Sequence, residues 1–357
     1  MTANIHLFQT DITHASRVKK HCDALRSSGL FDRVIYIGGS FGVDRQEEFG
    51  TGCEAILIGK KDARHASLPA KLLFTVKWSR KVFRKAASFA PSCVSCHSLP
   101  LLSLAVKMKK KWGCSLVYEP HELETETIVS RGIRKTISKR LEKSLIGHCD
   151  GVIVVSDSIA DWYEREYAIR RPTVVRNIAM AHSALLPEGL KAPPSLRQQF
   201  NIQNDEFLCL YLGIVGHGRR VDQYLRVFSK LGSPYHLVFM GDGPDVGKVK
   251  DLEKRFENIH YANPVPSEHV SFYSATADLG LCGVENACLS YYYSLPNKLF
   301  EFFRAGIPCL APKYIEMSRV IEEHCSGWLH GESDEELERT ITALTIKEIK
   351  EKAMNAK

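Results

Sequence analysis

The segment Ser294-Leu-Pro-Asn-Lys-Leu-Phe-Glu-Phe-Phe-Arg-Ala-Gly-Ile-Pro308 decides how the chain is read. Pro296 stands where a short helix starts and Gly306 just past where it ends, the usual placement of both residues. Lys298 then falls in the first turn, at the end of the helix that already carries partial positive charge. A cation is misplaced there unless an anion joins it. Glu301, three residues on, shares a face with Lys298. That face offers a charge for phosphate and a carboxylate that accepts hydrogen bonds from sugar hydroxyls. The plainer reading is a surface Lys–Glu pair.

Upstream of this helix, two more strand ends carry glycine-rich turns. Phe207–Leu212 reads as a strand that runs into Gly213-Ile-Val-Gly216-His-Gly218-Arg219-Arg220. Leu237–Met240 runs into Gly241-Asp242-Gly243-Pro244, and Ala277–Cys282 leads by a long loop to the Lys298 helix. Ligands of open α/β sheets bind beyond the carboxyl ends of the strands. Glycines let backbone N–H groups approach a phosphate, so three such ends on one rim point to a phosphate-rich ligand. Asp242 is read first as a turn former.

The first half also alternates strands and helices. Ile5–Phe8, Arg33–Ile37, Ala55–Ile58, Cys93–Cys96, Leu116–Tyr118 and Gly151–Val155 read as strands of a buried parallel sheet. Helices are expected near 16–27, 72–87 and 101–111, and before Gly151. The interval 178–200 has Pro187, Pro193 and Pro194 and little periodicity. The expected division is 1–180, a linker over 181–200, and 201–357.

The chain has 357 residues, 44% hydrophobic and 25% charged, which suits two soluble globular domains. No apolar run reaches the ~18–20 residues of a membrane span, and no signal peptide precedes Ile5. A cytoplasmic chain is expected, with its eleven cysteines reduced. Cys93-Val-Ser-Cys96 before His97 lacks a second cysteine pair at zinc spacing, so no metal site is assigned. The net charge of +7 is concentrated in the first half and admits anionic membranes or phosphorylated substrates. No motif for nucleic acid accompanies it. The Leu72–Ala87 helix places Trp78, Val82, Leu72, Phe83 and Val76 on one side. Lys77, Arg80, Lys81, Arg84 and Lys85 lie largely on the other. It packs its apolar side on the sheet, or it lies on an anionic membrane surface.

Neither half has a Gly-x-Gly-x-x-Gly after its first strand, and the Walker phosphate loop is absent. These absences weaken dinucleotide dehydrogenase and Walker-type readings. No Asp-x-Asp occurs to hold a metal with a nucleotide diphosphate. A departing diphosphate would have to be met by Arg219, Lys298 and helix ends.

Taken together, Gly213–Arg219, Gly241–Pro244, Ala277-Asp278 and Leu295–Glu301 with Ala305-Gly306 resemble the donor half of retaining glycosyltransferases of family four. Ser16-Arg17-Val18, His97, His121-Glu122 and Val154–Ser156 fall in that family's order in the first half. The resemblance implies an α/β GT-B fold, two Rossmann-like doubly wound parallel-sheet domains facing a central cleft. It implies sugar transfer from a nucleotide-diphosphate sugar to a glycan or lipid-linked acceptor, with retention and without a metal or other cofactor. Surface polysaccharide or glycolipid assembly on the inner face of a membrane is the implied setting. Arg219 and Lys298 would then hold the phosphates and Glu301 the ribose, with Asn297, Leu299, Gly213, Gly241 and Asp242 around the donor. His121 would face the transferred sugar, and Arg17, His97 and Glu122 would lie on the acceptor side. His121, Arg219 and Lys298 are thus the expected catalytic residues. One departure is Tyr293, where much of the family has a second Glu. It leaves room for a non-catalytic nucleotide-sugar binder, and a sugar-nucleotide epimerase is a further alternative.

Overall fold

The computed structural model describes residues 2–12, 16–50, 52–60, 67–178 and 193–356. The chain divides into two units, Met1–Val175 and Arg176–Lys357. Residues 181–192 of the expected linker lie outside the described residues.

The first unit runs β1 (Ala3–Leu7), α1 (Ser16–Ser27), β2 (Arg33–Phe41), β3 (Arg45–Glu48), β4 (Glu54–Lys60), α2 (Leu68–Ala87), β5 (Cys93–Cys96), α3 (Leu99–Trp112), β6 (Ser115–Tyr118), α4 (Gly132–Ile146), β7 (Gly151–Val154), α5 (Asp157–Tyr167) and β8 (Thr173–Val174). Its eight strands lie in the order β3-β4-β2-β1-β5-β6-β7-β8. Only β3 pairs antiparallel, as an edge strand on β4. Strands β1 and β5 are buried at every residue, Asn4 and His6 included. This is what a sheet covered on both faces requires.

Helix α2 begins at Leu68, four residues before the expected start, because Pro69 is well placed in a first turn. Trp78, Val82 and Ala86 are buried, and Trp78 Nε1 donates to the Ile58 carbonyl at 3.1 Å. Val76, expected on that apolar side, is exposed. The Leu72 side chain lies outside the described residues.

The second unit begins its regular structure with α6 (Leu196–Phe200), inside the expected linker. Its start is fixed by a capping box in which Ser195 and Gln198 exchange hydrogen bonds. The chain continues through β9 (Phe207–Leu212), α7 (Val221–Leu231), β10 (Tyr235–Met240), α8 (Val246–Glu253), β11 (Ile259–Ala262), α9 (Ser267–Ser274) and β12 (Leu279–Leu281). Then follow α10 (Leu289–Tyr292), α11 (Asn297–Arg304), β13 (Cys309–Pro312), α12 (Ile315–Glu323), β14 (Gly327–His330), α13 (Asp334–Thr342) and α14 (Ile346–Asn355). The six strands are all parallel, in the order β11-β10-β9-β12-β13-β14. Side chains alternate across the sheet. Leu208, Leu210 and Leu212 enter one core with Phe302 and Met317, while Cys209 and Tyr211 enter the other with Phe228 and Ile341. Helices therefore cover both faces, the doubly wound arrangement.

In each unit the strand order reverses beside its first strand, between β1 and β5 and between β9 and β12. The crevices outside the carboxyl ends of these pairs are the natural ligand sites. Among the described residues no helix is long and apolar enough to cross a membrane.

Candidate active site

In the second unit, the loop after β9 bends back over the loop after β10. Gly213 has φ of +100°, and a Cβ at Gly241 would overlap the Gly213 carbonyl oxygen. Gly213 N donates to the Met240 carbonyl and Val215 N to the Asp242 carbonyl, at 3.0 and 2.9 Å. Asp242 caps this turn, its Oδ1 accepting from Gly243 N at 2.7 Å. The loop's far end is pinned by the loop after β12. Glu285 N donates to the Gly218 carbonyl at 3.0 Å.

The two adjacent arginines have separate fates. Arg220 is buried and spent on the fold: it donates to the Val284 carbonyl, Gln223 Oε1 and Tyr314 hydroxyl and pairs with Glu332. Arg219 makes no ion pair among the described residues, and its guanidinium lies 5.0 Å from the Tyr291 ring centroid.

Lys298 sits in the first turn of α11, which contains no acidic residue. Its Nζ is shut off from solvent and has no hydrogen-bond partner among the described residues. It lies 4.1 Å from the Tyr211 ring centroid. Burial pushes its pKa down to about 8, and the positive charge of Arg219 adds to the push. A buried ammonium without a hydrogen-bond acceptor is costly. Two cations and a helix start at one switch point suit an anion.

The rest of α11 is divided between core and rim. Leu299 is fully buried and packs the core. Asn297 is exposed and accepts from Asn177 Nδ2 at 2.9 Å. Glu301 does not pair with Lys298; its Oε2 lies 2.5 Å from Arg304 on the next turn.

In the first unit, a polar cluster is buried beyond β1, β5 and β6. Its centre is Glu119, which the sequence reading passed over. Arg17 Nε donates to Oε1 at 2.5 Å, while His21 Nδ1 and His97 Nδ1 approach Oε2 at 3.0 and 3.3 Å. His97 also faces His121 Nε2 at 3.3 Å and His6 Nδ1 at 2.8 Å. A proton on His97 Nδ1, shared towards Glu119, leaves His97 Nε2 to accept from His6. Burial raises the Glu119 pKa, but the hydrogen bond from His21, the His97 ring and the Arg17 guanidinium outweigh it. The carboxyl is held well below its ordinary range. Burial lowers His97 well below its ordinary value and His121 to about 4, so both rings are neutral at pH 7. His97, Glu119 and His121 present ligand atoms within 4.8 Å of one another, a set a metal ion could span. Glu119 is already engaged by Arg17 and His21. Glu122, the remaining expected residue, is exposed and outside the cluster.

Residues 18–178 match the family described as Glycosyltransferase Family 4, and residues 194–357 match Glycosyl transferases group 1. The chain carries the two domains of a GT-B-type glycosyltransferase. Sucrose-phosphate synthase from Thermosynechococcus elongatus is similar over 100% of this chain and 93% of its own, at 13% identity and a TM-score of 0.79. Anabaena HepE, solved in complex with UDP-glucose, matches 100% of this chain and 93% of its own, at 14% identity and a TM-score of 0.70. WaaG, a glycosyltransferase involved in lipopolysaccharide biosynthesis, matches 100% of this chain and 94% of its own, at 16% identity and a TM-score of 0.66. At these identities the likeness is one of fold. No curated protein sequence matches the chain. The Lys298 site thus belongs to the group 1 domain and the Glu119 cluster to the Family 4 domain.

Proposed function

We propose that this glycosyltransferase moves a sugar from a nucleotide-diphosphate donor to a glycan or lipid-linked acceptor, with retention and without a metal. The observation that carries the reading is the Lys298 ammonium, buried and without a hydrogen bond, beside Arg219 and a helix N-terminus. A diphosphate supplies the missing acceptors. Its charge grows on the bridging oxygen as the glycosidic bond breaks, so these cations stabilise the transition state more than the bound donor. Glu301 accepts from the ribose hydroxyls once it turns from Arg304. Asn297 and Asp242 border the donor, and Gly213 and Gly241 let it approach the backbone.

His121, neutral at pH 7, accepts a hydrogen bond from the transferred sugar. Arg17 and His97 act through Glu119 to fix His121 in place, while the exposed Glu122 meets the acceptor. The chain works in the cytoplasm, in surface polysaccharide or glycolipid assembly. The basic face of α2 draws it to an anionic membrane. The complex of HepE with UDP-glucose and the involvement of WaaG in lipopolysaccharide biosynthesis support the donor class and the setting.

The test is turnover of nucleotide sugars in the presence of a chelator, with NMR of the anomeric proton in the product. Retained configuration and undiminished turnover are expected. Inversion, or activity restored only by a divalent ion, rejects the reading.

A further inference from the structure

Helix α4 carries an apolar ridge that the fold does not use. Ile133, Ile137 and Leu141, four residues apart, are 79%, 60% and 41% exposed. Steps of four residues run along one side of a helix. The opposite side of α4 is anchored. Glu142, nine residues from Ile133, is fully buried, and its carboxylate accepts from Tyr118, Tyr163 and Tyr167 at 2.7, 2.8 and 2.6 Å. Ile146, nine residues from Ile137, is buried as well. At about 100° per residue, nine residues make two and a half turns and so end on the opposite side. The three phenols therefore fix the rotation of α4 and hold the ridge outward.

The charge around the ridge is of one sign. Arg134, Arg140 and Lys143 are exposed, and none has an ion pair among the described residues. Lys135 and Lys139, nearer the buried side, are paired with Glu126 at 2.5 and 2.9 Å, and Lys139 also with Glu166 at 3.1 Å. The only acid on the helix is the buried Glu142. An apolar ridge flanked by unpaired cations, with no exposed acid, complements the headgroup and acyl boundary of an anionic bilayer. A protein groove of mixed charge would not need this asymmetry.

We infer that α4 is the element that inserts into an anionic membrane surface, with Ile133, Ile137 and Leu141 entering the acyl boundary and Arg134, Arg140 and Lys143 bound to lipid phosphates. The inference rests on the membrane setting proposed above, but not on the sugar transfer. Helix α2 keeps a secondary role: its Trp78, Val82 and Ala86 are buried, and its exposed Leu73 and Val76, at 50% and 38%, stand out less than Ile133 and Ile137 on α4.

The test is sedimentation of the full chain with mixed phosphatidylcholine–phosphatidylglycerol vesicles, without any sugar substrate. Three variants are compared: Ile133→Ser/Ile137→Ser/Leu141→Ser, Arg134→Glu/Arg140→Glu/Lys143→Glu, and the α2 set Lys77→Glu/Arg80→Glu/Lys81→Glu/Arg84→Glu. The changes lie on exposed positions, so unaltered thermal melting confirms that each variant folds. The apolar variant should bind at least about 30-fold more weakly even at low salt. The charge variant should lose about fivefold per cation, in a salt-dependent manner. The α2 set should lose less binding than either α4 variant. Wild-type binding by the apolar variant overturns the inference. Loss confined to the α2 set moves the contact to α2 and also overturns it. If wild-type protein ignores the vesicles and the apolar variant instead dissociates an oligomer, the ridge is a self-association face and the proposal fails.

Discussion

The Lys298 ammonium lies 4.1 Å from the centre of the Tyr211 ring, one residue before the strand β9 ends and opens into the glycine loop. The ring, with weaker help from Cys282 and Cys309, offsets part of the cost of burying this cation. A cation over an aromatic face recovers about 0.5–2 kcal/mol, less than an ammonium loses on leaving water. The site is therefore built at a cost that a bound anion removes.

Lys298→Met should separate stability from binding. A native pKa of about 8 against 10.5 means that the unfolded chain binds more protons between those values. The lysine thus weakens the fold below pH 8, on the order of 3 kcal/mol, and this loss fades as pH rises towards 10.5. The variant should melt a few degrees higher at pH 7 in differential scanning calorimetry. It should also bind nucleoside diphosphate at least about tenfold more weakly. A lower melting temperature would contradict the account.

Arg219 and Arg220 should behave as opposites. Arg219→Gln should leave melting nearly unchanged and reduce kcat/KM by roughly 100-fold, about 2.7 kcal/mol of transition-state stabilisation. Arg220→Gln should destabilise the second unit by about 3 kcal/mol, because it breaks a buried hydrogen-bonded network. Urea titrations of both variants, read beside their kinetics, distinguish these outcomes.

Acid should loosen the first unit early. Buried His6 and His121 have pKa values lowered to about 3 and 4, and His97 is lowered too, so the unfolded chain takes up protons first as pH falls below 6.5. Glu119 adds to this at lower pH, since its depressed pKa stabilises the fold above the ordinary carboxylate range and is lost as it protonates. Urea midpoints should fall steadily from pH 6.5 to 4. Glu119→Gln should cost about 3 kcal/mol at pH 7, because the Arg17 guanidinium loses its buried partner. A flat pH profile would argue against the cluster as described.

Glu301→Ala should cost affinity for ribonucleotides alone. Loss of a charged acceptor to the ribose hydroxyls is worth roughly tenfold in binding of UDP. Binding of the 2′,3′-dideoxy analogue should not change. Equal losses for both would remove Glu301 from the ribose site.

The elements read best from sequence were those whose signal is local. Phe207–Leu212 and Cys93–Cys96 are short apolar runs bounded by turn residues, and both strands have the expected limits. Lys298 stood out because its charge conflicts with a helix start, which needs no tertiary knowledge. Strand β3, Arg45–Glu48, is polar and exposed throughout and carried no such pattern. Glu119 was passed over because its role comes from Arg17, which lies 102 residues away, and from His21 and His97. The outward ridge on α4 was equally hidden. Ile133, Ile137 and Leu141 have the spacing of a core stripe, and only Glu142, held by three tyrosines, fixes which face looks out.

The central claim is that Lys298 and Arg219 bind a diphosphate without a divalent ion. Isothermal titration of UDP into the wild-type chain and Lys298→Met, both in EDTA, tests it most directly. The account predicts binding by the wild type, undiminished by the chelator and at least about tenfold weaker in the variant. Binding that appears only with magnesium, or that is equal in the two proteins, would contradict it.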